Sequence, residues 1–181
     1  MEKRHLLLCG ERGVGKSTLI RRLLALSTRP LGGFVTLRRR TPDEKGFYPI
    51  YLYDAALPEC ERRSTAENLA GICDSHSSVR HSEVFDTLGT RYIKAAPENG
   101  LILMDELGFL ENEAHVFRRA VLDALDGETP VLAAVKPKDT DFLRAVRGHG
   151  NAALVFIGRE NRDALYEELT PRILAWNDFR A

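Results

Sequence analysis

The chain has no excess of charge of either sign: 26 lysines and arginines stand against 26 aspartates and glutamates in 181 residues. A balanced chain lacks the broad basic footprint of non-specific nucleic-acid binding. Long apolar runs are also missing, and nothing approaches the roughly 18 residues of a membrane span. Cysteine is scarce, with Cys9, Cys60 and Cys73 odd in number and without metal-ligand spacing. Neither a repeat nor a low-complexity tract occurs. Met1-Glu2-Lys3-Arg4 leads straight into an apolar run, leaving no room for a secretory leader. These absences lead to the expectation of a cytoplasmic, disulfide-free, monomeric protein with one domain over residues 1–181 and no membrane or nucleic-acid partner.

What is present begins at residue 10. Gly10-Glu11-Arg12-Gly13-Val14-Gly15-Lys16-Ser17-Thr18 matches G-x-x-x-x-G-K-[ST] in full, the phosphate-binding P-loop. Gly10, Gly13 and Gly15 let the backbone take left-handed turns and approach an anion without a Cβ in the way. The loop N–H groups then converge at the positive end of the following helix. Lys16 is expected to reach the β- and γ-phosphates, and Ser17 to ligate Mg²⁺. The context suits this reading: His5-Leu6-Leu7-Leu8-Cys9 has the length of a buried strand, and apolar residues at 19, 20, 23, 24 and 26 have helical spacing.

Further on, Gly32 to Arg38 and Phe47 to Tyr53 read as two strands around the turn Thr41–Gly46, an antiparallel hairpin over about residues 32–54. Pro49 places the second strand at an edge or at a bulge. Pro58 to Ile72 reads as a short helix and 74–78 as a polar loop, so that 55–78 forms a lid, a binding loop or a plain surface excursion. Val79 to Val84 reads as a strand, followed by a helix through Phe85, Leu88, Tyr92 and Ile93. Strands at 101–104, 130–135 and 152–157 then alternate with helices, implying a mostly parallel sheet covered on both faces, a three-layer α/β/α sandwich. Leu165, Leu169, Ile173 and Trp176 form a packing stripe on the last helix.

Leu101-Ile102-Leu103-Met104 ends abruptly in Asp105-Glu106, beyond a strand's carboxyl end, where ligands bind in open α/β sheets. This resembles a Walker B element. Asp105 would complete the coordination of Mg²⁺ begun by Ser17, and Glu106 would orient and deprotonate the attacking water. The alternative is that Glu106 only caps the next segment. An arginine acting in cis on the transferring phosphoryl group could come from Arg38, Arg39, Arg40, Arg159 or Arg162, among which the sequence does not choose.

With both motifs placed, the chain resembles the nucleoside-triphosphatases of THEP1 type, P-loop NTPases. The likeness runs through Gly10 to Leu19, Gly32-Gly33-Phe34-Val35-Thr36 with Arg38 to Arg40, Lys45-Gly46-Phe47 and Glu83-Val84-Phe85. It continues in Asp105-Glu106-Leu107-Gly108-Phe109-Leu110-Glu111 with Phe117, and in Glu160-Asn161-Arg162-Asp163. It implies Mg²⁺-dependent hydrolysis of ATP, GTP and other nucleoside triphosphates, slow turnover, and an approach of Arg162 to the nucleotide base. Two positions depart from the pattern. Phe109-Leu110-Glu111 stands where the family usually has Lys-Met-Glu, so a cation beside the acids is missing, and Gly158 replaces a frequent threonine.

Val135-Lys136-Pro137-Lys138-Asp139 lacks the Asn-Lys-x-Asp that reads guanine, which favours a hydrolase of broad base specificity. Two alternatives stay open: a nucleotide or small-molecule kinase with a lid at Phe142–Arg147, and a nucleotide-gated switch with slow hydrolysis.

Overall fold

A computed structural model describes residues 3–44, 46–73 and 78–178. Lys45 and most of the expected polar loop, 74–77, lie outside these residues. One eight-stranded sheet organises the chain, in the order β5-β4-β3-β2-β6-β7-β1-β8. Strands β1 (His5–Cys9), β2 (Leu31–Arg38), β6 (Leu101–Leu107), β7 (Val131–Val135) and β8 (Ala152–Phe156) pair in parallel. Strands β3 (Tyr48–Asp54), β4 (Leu69–Cys73) and β5 (Ser78–Arg80) extend the β2 side by antiparallel pairing.

Helices cover both faces, as expected of a parallel sheet. On one side α1 (Lys16–Leu24) and α6 (Arg162–Asp178) bury Leu19, Ile20, Leu23, Leu165, Leu169, Ile173 and Trp176. The packing stripe of the last helix is therefore core. On the other side lie α2 (Ser82–Val84), a π-helical segment (Phe85–Gly89), α3 (Thr90–Lys94), α4 (His115–Asp126) and α5 (Asp141–Arg147). Phe117 joins these helices to the sheet, its ring 5.2 Å from Phe34 and 5.4 Å from Phe85, both edge-on. Edge-on pairs of this spacing add to the area they bury.

The Gly32-Gly33 pair has a steric cause. Gly33 has φ 91, and a Cβ there would lie 2.0 Å from the Leu103 carbonyl oxygen on β6. Only glycine lets β2 run this close to the strand that carries the acids.

Three expectations are corrected, and a fourth, for Pro49, is decided in favour of its second alternative, the bulge. The expected hairpin is present, β2 pairing with β3, but two more antiparallel strands extend it: the stretch read as a short helix holds only a 3₁₀ turn at Glu59–Glu61, followed by strand β4. Asn68 fixes the entry to β4, its Nδ2 donating to the Leu52 and Arg63 carbonyls at 3.0 Å each. Residues 82–84, read as strand, are helical, because β5 is a three-residue edge piece that ends at Arg80. Pro49 lies in an interior strand, not at an edge; the register shift between Ile50 and Tyr51 is the bulge that admits it. Finally, β6 does not stop at Met104 but runs through Asp105 and Glu106 to Leu107, with a cis peptide between the two acids and a register shift against β7.

Candidate functional site

The P-loop leaves β1 and turns at Gly15 into α1. Gly13 (φ 81) and Gly15 (φ 107) take the left-handed conformation expected of them. Gly10 serves closeness instead, since a Cβ there would lie 2.4 Å from the Ile157 carbonyl oxygen beside β1. Among the remaining loop residues, Glu11 and Arg12 project outward, Val14 packs against the α1/α6 core, and Thr18 is exposed on α1.

Lys16 is buried and folds back over the loop. Its Nζ donates to the carbonyls of Gly10 at 2.6 Å and Glu11 at 2.9 Å, and lies 3.1 Å from Glu106 Oε1. The Ser17 hydroxyl donates to Asp105 Oδ1 at 3.2 Å. The two motifs, some ninety residues apart in the chain, thus meet pair by pair: Lys16 with Glu106 and Ser17 with Asp105. The shared sheet edge makes this possible, because β1 and β6 run parallel with β7 between them.

Burial pushes the Asp105 carboxyl up to about 6, with Glu106 adding to the rise and the Ser17 hydrogen bond and Lys16 opposing it. A buried carboxyl with no full counter-charge suits a divalent cation, and Ser17 and Asp105 present two oxygen donors of the hard type such ions prefer. Among the described residues no cluster of three or more His, Cys, Asp or Glu forms a self-contained metal cage. A cation here would need ligands from elsewhere, such as substrate phosphates.

Beside Glu106 opens a cavity of about 360 Å³ that includes Glu11 and Arg12 at one end and Arg38, Ile50 and Cys73 at the other. Of the five arginines weighed from sequence, Arg38 lines it; its guanidinium lies 3.9 Å over the Tyr48 ring. Arg162, at the start of α6, packs on the P-loop instead, its Cδ 2.7 Å from where a Gly15 Cβ would stand.

Two further residues belong to this neighbourhood. Lys136 follows β7 directly, and its Nζ lies 4.0 Å from Glu106 Oε2 and 5.2 Å over the Phe109 ring. A cation therefore stands beside the acids although position 109 has none. Its place at the carboxyl end of a central strand was the available signal. Glu111 is buried, accepts a hydrogen bond from the Gly108 N–H at 2.9 Å, and is pushed by burial up to about 7. Nothing local in the sequence marks a glutamate three residues past a turn as buried.

A family model described as NTPase matches residues 5–170. The nucleoside-triphosphatase THEP1 of Thermotoga maritima is 26% identical over 171 residues, covering 91% of this chain and 92% of that protein. The protein of the same name from Thermofilum pendens is 28% identical over 180 residues, with 96% and 97% covered. In structure, the chain superposes on THEP1 from Aquifex aeolicus with a TM-score of 0.68, at 23% identity, over 93% of this chain and 98% of that one. A human cancer-related nucleoside triphosphatase superposes with a TM-score of 0.65, at 21% identity, over 95% and 98%.

Proposed function

Because the chain belongs to the NTPase family, we propose that it is a Mg²⁺-dependent nucleoside-triphosphate phosphohydrolase of broad base specificity and slow turnover, converting NTP and water to NDP and phosphate. The observation that carries this reading is the double meeting of the motifs, Lys16 on Glu106 and Ser17 on Asp105. Residues 1–181 act as one nucleotide-handling domain in this reading.

The loop N–H groups and the α1 N-terminus receive the phosphate tail. Lys16 leaves the Gly10 and Glu11 carbonyls and Glu106 to bind the β- and γ-phosphates. That exchange releases Glu106, which then accepts the proton of a water attacking the γ-phosphorus in line with the β,γ-bridging oxygen. Ser17 and Asp105 would hold Mg²⁺, which when bound neutralises phosphate charge. Slow turnover fits a base that lysine holds in reserve. Base breadth fits a site whose described polar groups gather at the phosphates, with Arg162 at the P-loop's outer side as the contact toward the base.

Phosphate release from ATP, GTP, CTP and UTP with Mg²⁺ tests this. Comparable release from several of them, lost on chelation and restored by Mg²⁺, is expected. Release from one nucleotide alone would remove the claim of breadth, and release unaffected by chelation would remove that of Mg²⁺ dependence.

A further inference from the structure

The cavity beside Glu106 is larger than hydrolysis needs. A water and the phosphoryl group it attacks sit with reacting atoms about 3–3.5 Å apart, all at the P-loop end. The cavity runs on from β6 across β2 to β3 and β4, where Ile50 and Cys73 form its far wall. At 4.7–4.9 Å per strand, those two residues stand roughly 10–14 Å beyond the strand carrying Glu106. The volume of about 360 Å³ falls among small-molecule pockets.

Polar groups line the way from Glu106 to that end: Thr36 follows Val35, the β2 residue in register with Asp105, and Arg38 lies two residues further along β2. Buried polar atoms are nearly always paired, yet Thr36 Oγ1, Arg38 Nε and Glu111 Oε2, all on residues of this cavity's wall, have no hydrogen-bond partner among the described residues. Arg38 brings a fixed positive charge, held flat by Tyr48. Burial pushes the Glu111 carboxyl up to about 7, which weakens its negative charge near neutral pH. Ile50 and Phe109 supply apolar surface. A guanidinium and a hydroxyl, set against apolar walls, select an anionic group on a small organic molecule.

We propose that the far end of the cavity is a second subsite, for a small anion-bearing alcohol whose hydroxyl reaches Glu106 and receives the γ-phosphoryl group in place of water. This rests on the hydrolytic site described above. The hydroxyl oxygen bonds to the γ-phosphorus and its proton passes to Glu106. The bond from the γ-phosphorus to the bridging oxygen breaks, and its electron pair leaves with the nucleoside diphosphate. Water takes the same position when the subsite holds no alcohol.

The test uses the full chain loaded with Mg²⁺ and a β,γ-methylene nucleoside triphosphate, titrated calorimetrically with glycerol 3-phosphate, glycerate or glycerol. Glycerol 3-phosphate or glycerate should bind in the millimolar range or tighter while glycerol does not, and the stronger of the two identifies a phosphate or a carboxylate as the anion. Arg38→Gln should weaken that binding at least tenfold, and Cys73→Trp, which fills the far end, should abolish it. No anion binding to the loaded protein, or equal binding to Arg38→Gln and Cys73→Trp, overturns the subsite. With hydrolysable NTP, the alcohol that binds should raise the ratio of NDP formed to phosphate released above one. A ratio that stays at one overturns the acceptor role. Phosphate release from NTP without any alcohol reports separately on the hydrolytic reading.

Discussion

In the parallel half of the sheet, β1 and β7 are buried along their whole length, and β6 is buried except at Glu106. In the antiparallel half, β3 and β4 mix buried with half-buried residues, and β5 is exposed at two of its three. In the first half β1, β6 and β7 have helices on both faces and side chains constrained from two directions, while the edge strand β8 is half-buried. The second has one solvated face and freedom to change there. The difference separates two tasks. Phosphate handling sits at the carboxyl ends of the buried strands, where Asp105 is buried and Glu106 pairs with Lys16, and the wall facing away from the nucleotide is built from strands that can vary.

The sharpest way to break this division is to cut the join between the halves. Phe34→Ala, which removes the ring that Phe117 packs against on β2, should cost roughly 3–5 kcal/mol in urea unfolding. A single transition shifted as a whole would show that the halves stand or fall together, whereas a separate early transition of β3–β5 would make the antiparallel half an independent addition. Lys16→Ala should reduce phosphate release about a thousandfold, since it removes a charge aimed at the phosphates from the buried half. Glu106→Gln should lower kcat about a hundredfold and leave nucleotide binding, read by calorimetry, within about threefold of the parent. An unchanged kcat would assign the proton to another group.

The smallest expected effect concerns Glu111, where the halves meet. Its carboxyl is raised from the ordinary 4.5 to about 7. Between those values the folded chain binds the proton more tightly than the unfolded one, so this group's stability contribution is complete below about pH 4.5 and is lost as pH rises through 7. Glu111→Gln keeps an acceptor for Gly108 without that loss. It should match the parent in acid and exceed it by an amount that grows as pH rises from about 4.5 through 7. A stability difference independent of pH would mean that Glu111 is not held protonated.

The parallel half is readable element by element, apart from the end of β6. Its strands are short apolar runs, its helices repeat at helical spacing, and its loops carry chemistry of their own. Of the antiparallel half, β3 and its pairing with β2 are readable. Leu69 to Cys73 is a strand because β3 lies beside it and Asn68 ties its entry to Leu52 and Arg63, and nothing in five mixed residues distinguishes strand from helix without those partners. Ser82 to Val84 went astray for the same reason. Its β-rich start has no neighbour to extend the pairing past Arg80.

In the candidate site, the P-loop and the acids were legible as two separate motifs because each must satisfy local geometry. Left-handed turns demand glycine at 13 and 15, and an acid after an apolar strand falls at the ligand-binding edge. The tertiary structure alone decided that Lys16 rests on Glu106, that Lys136 supplies a cation where Phe109 does not, that Arg38 faces the cavity, and that Glu111 is buried with a raised pKa. Local conformation depends on neighbours in the chain, whereas charge pairing and desolvation depend on which strands the sheet places side by side.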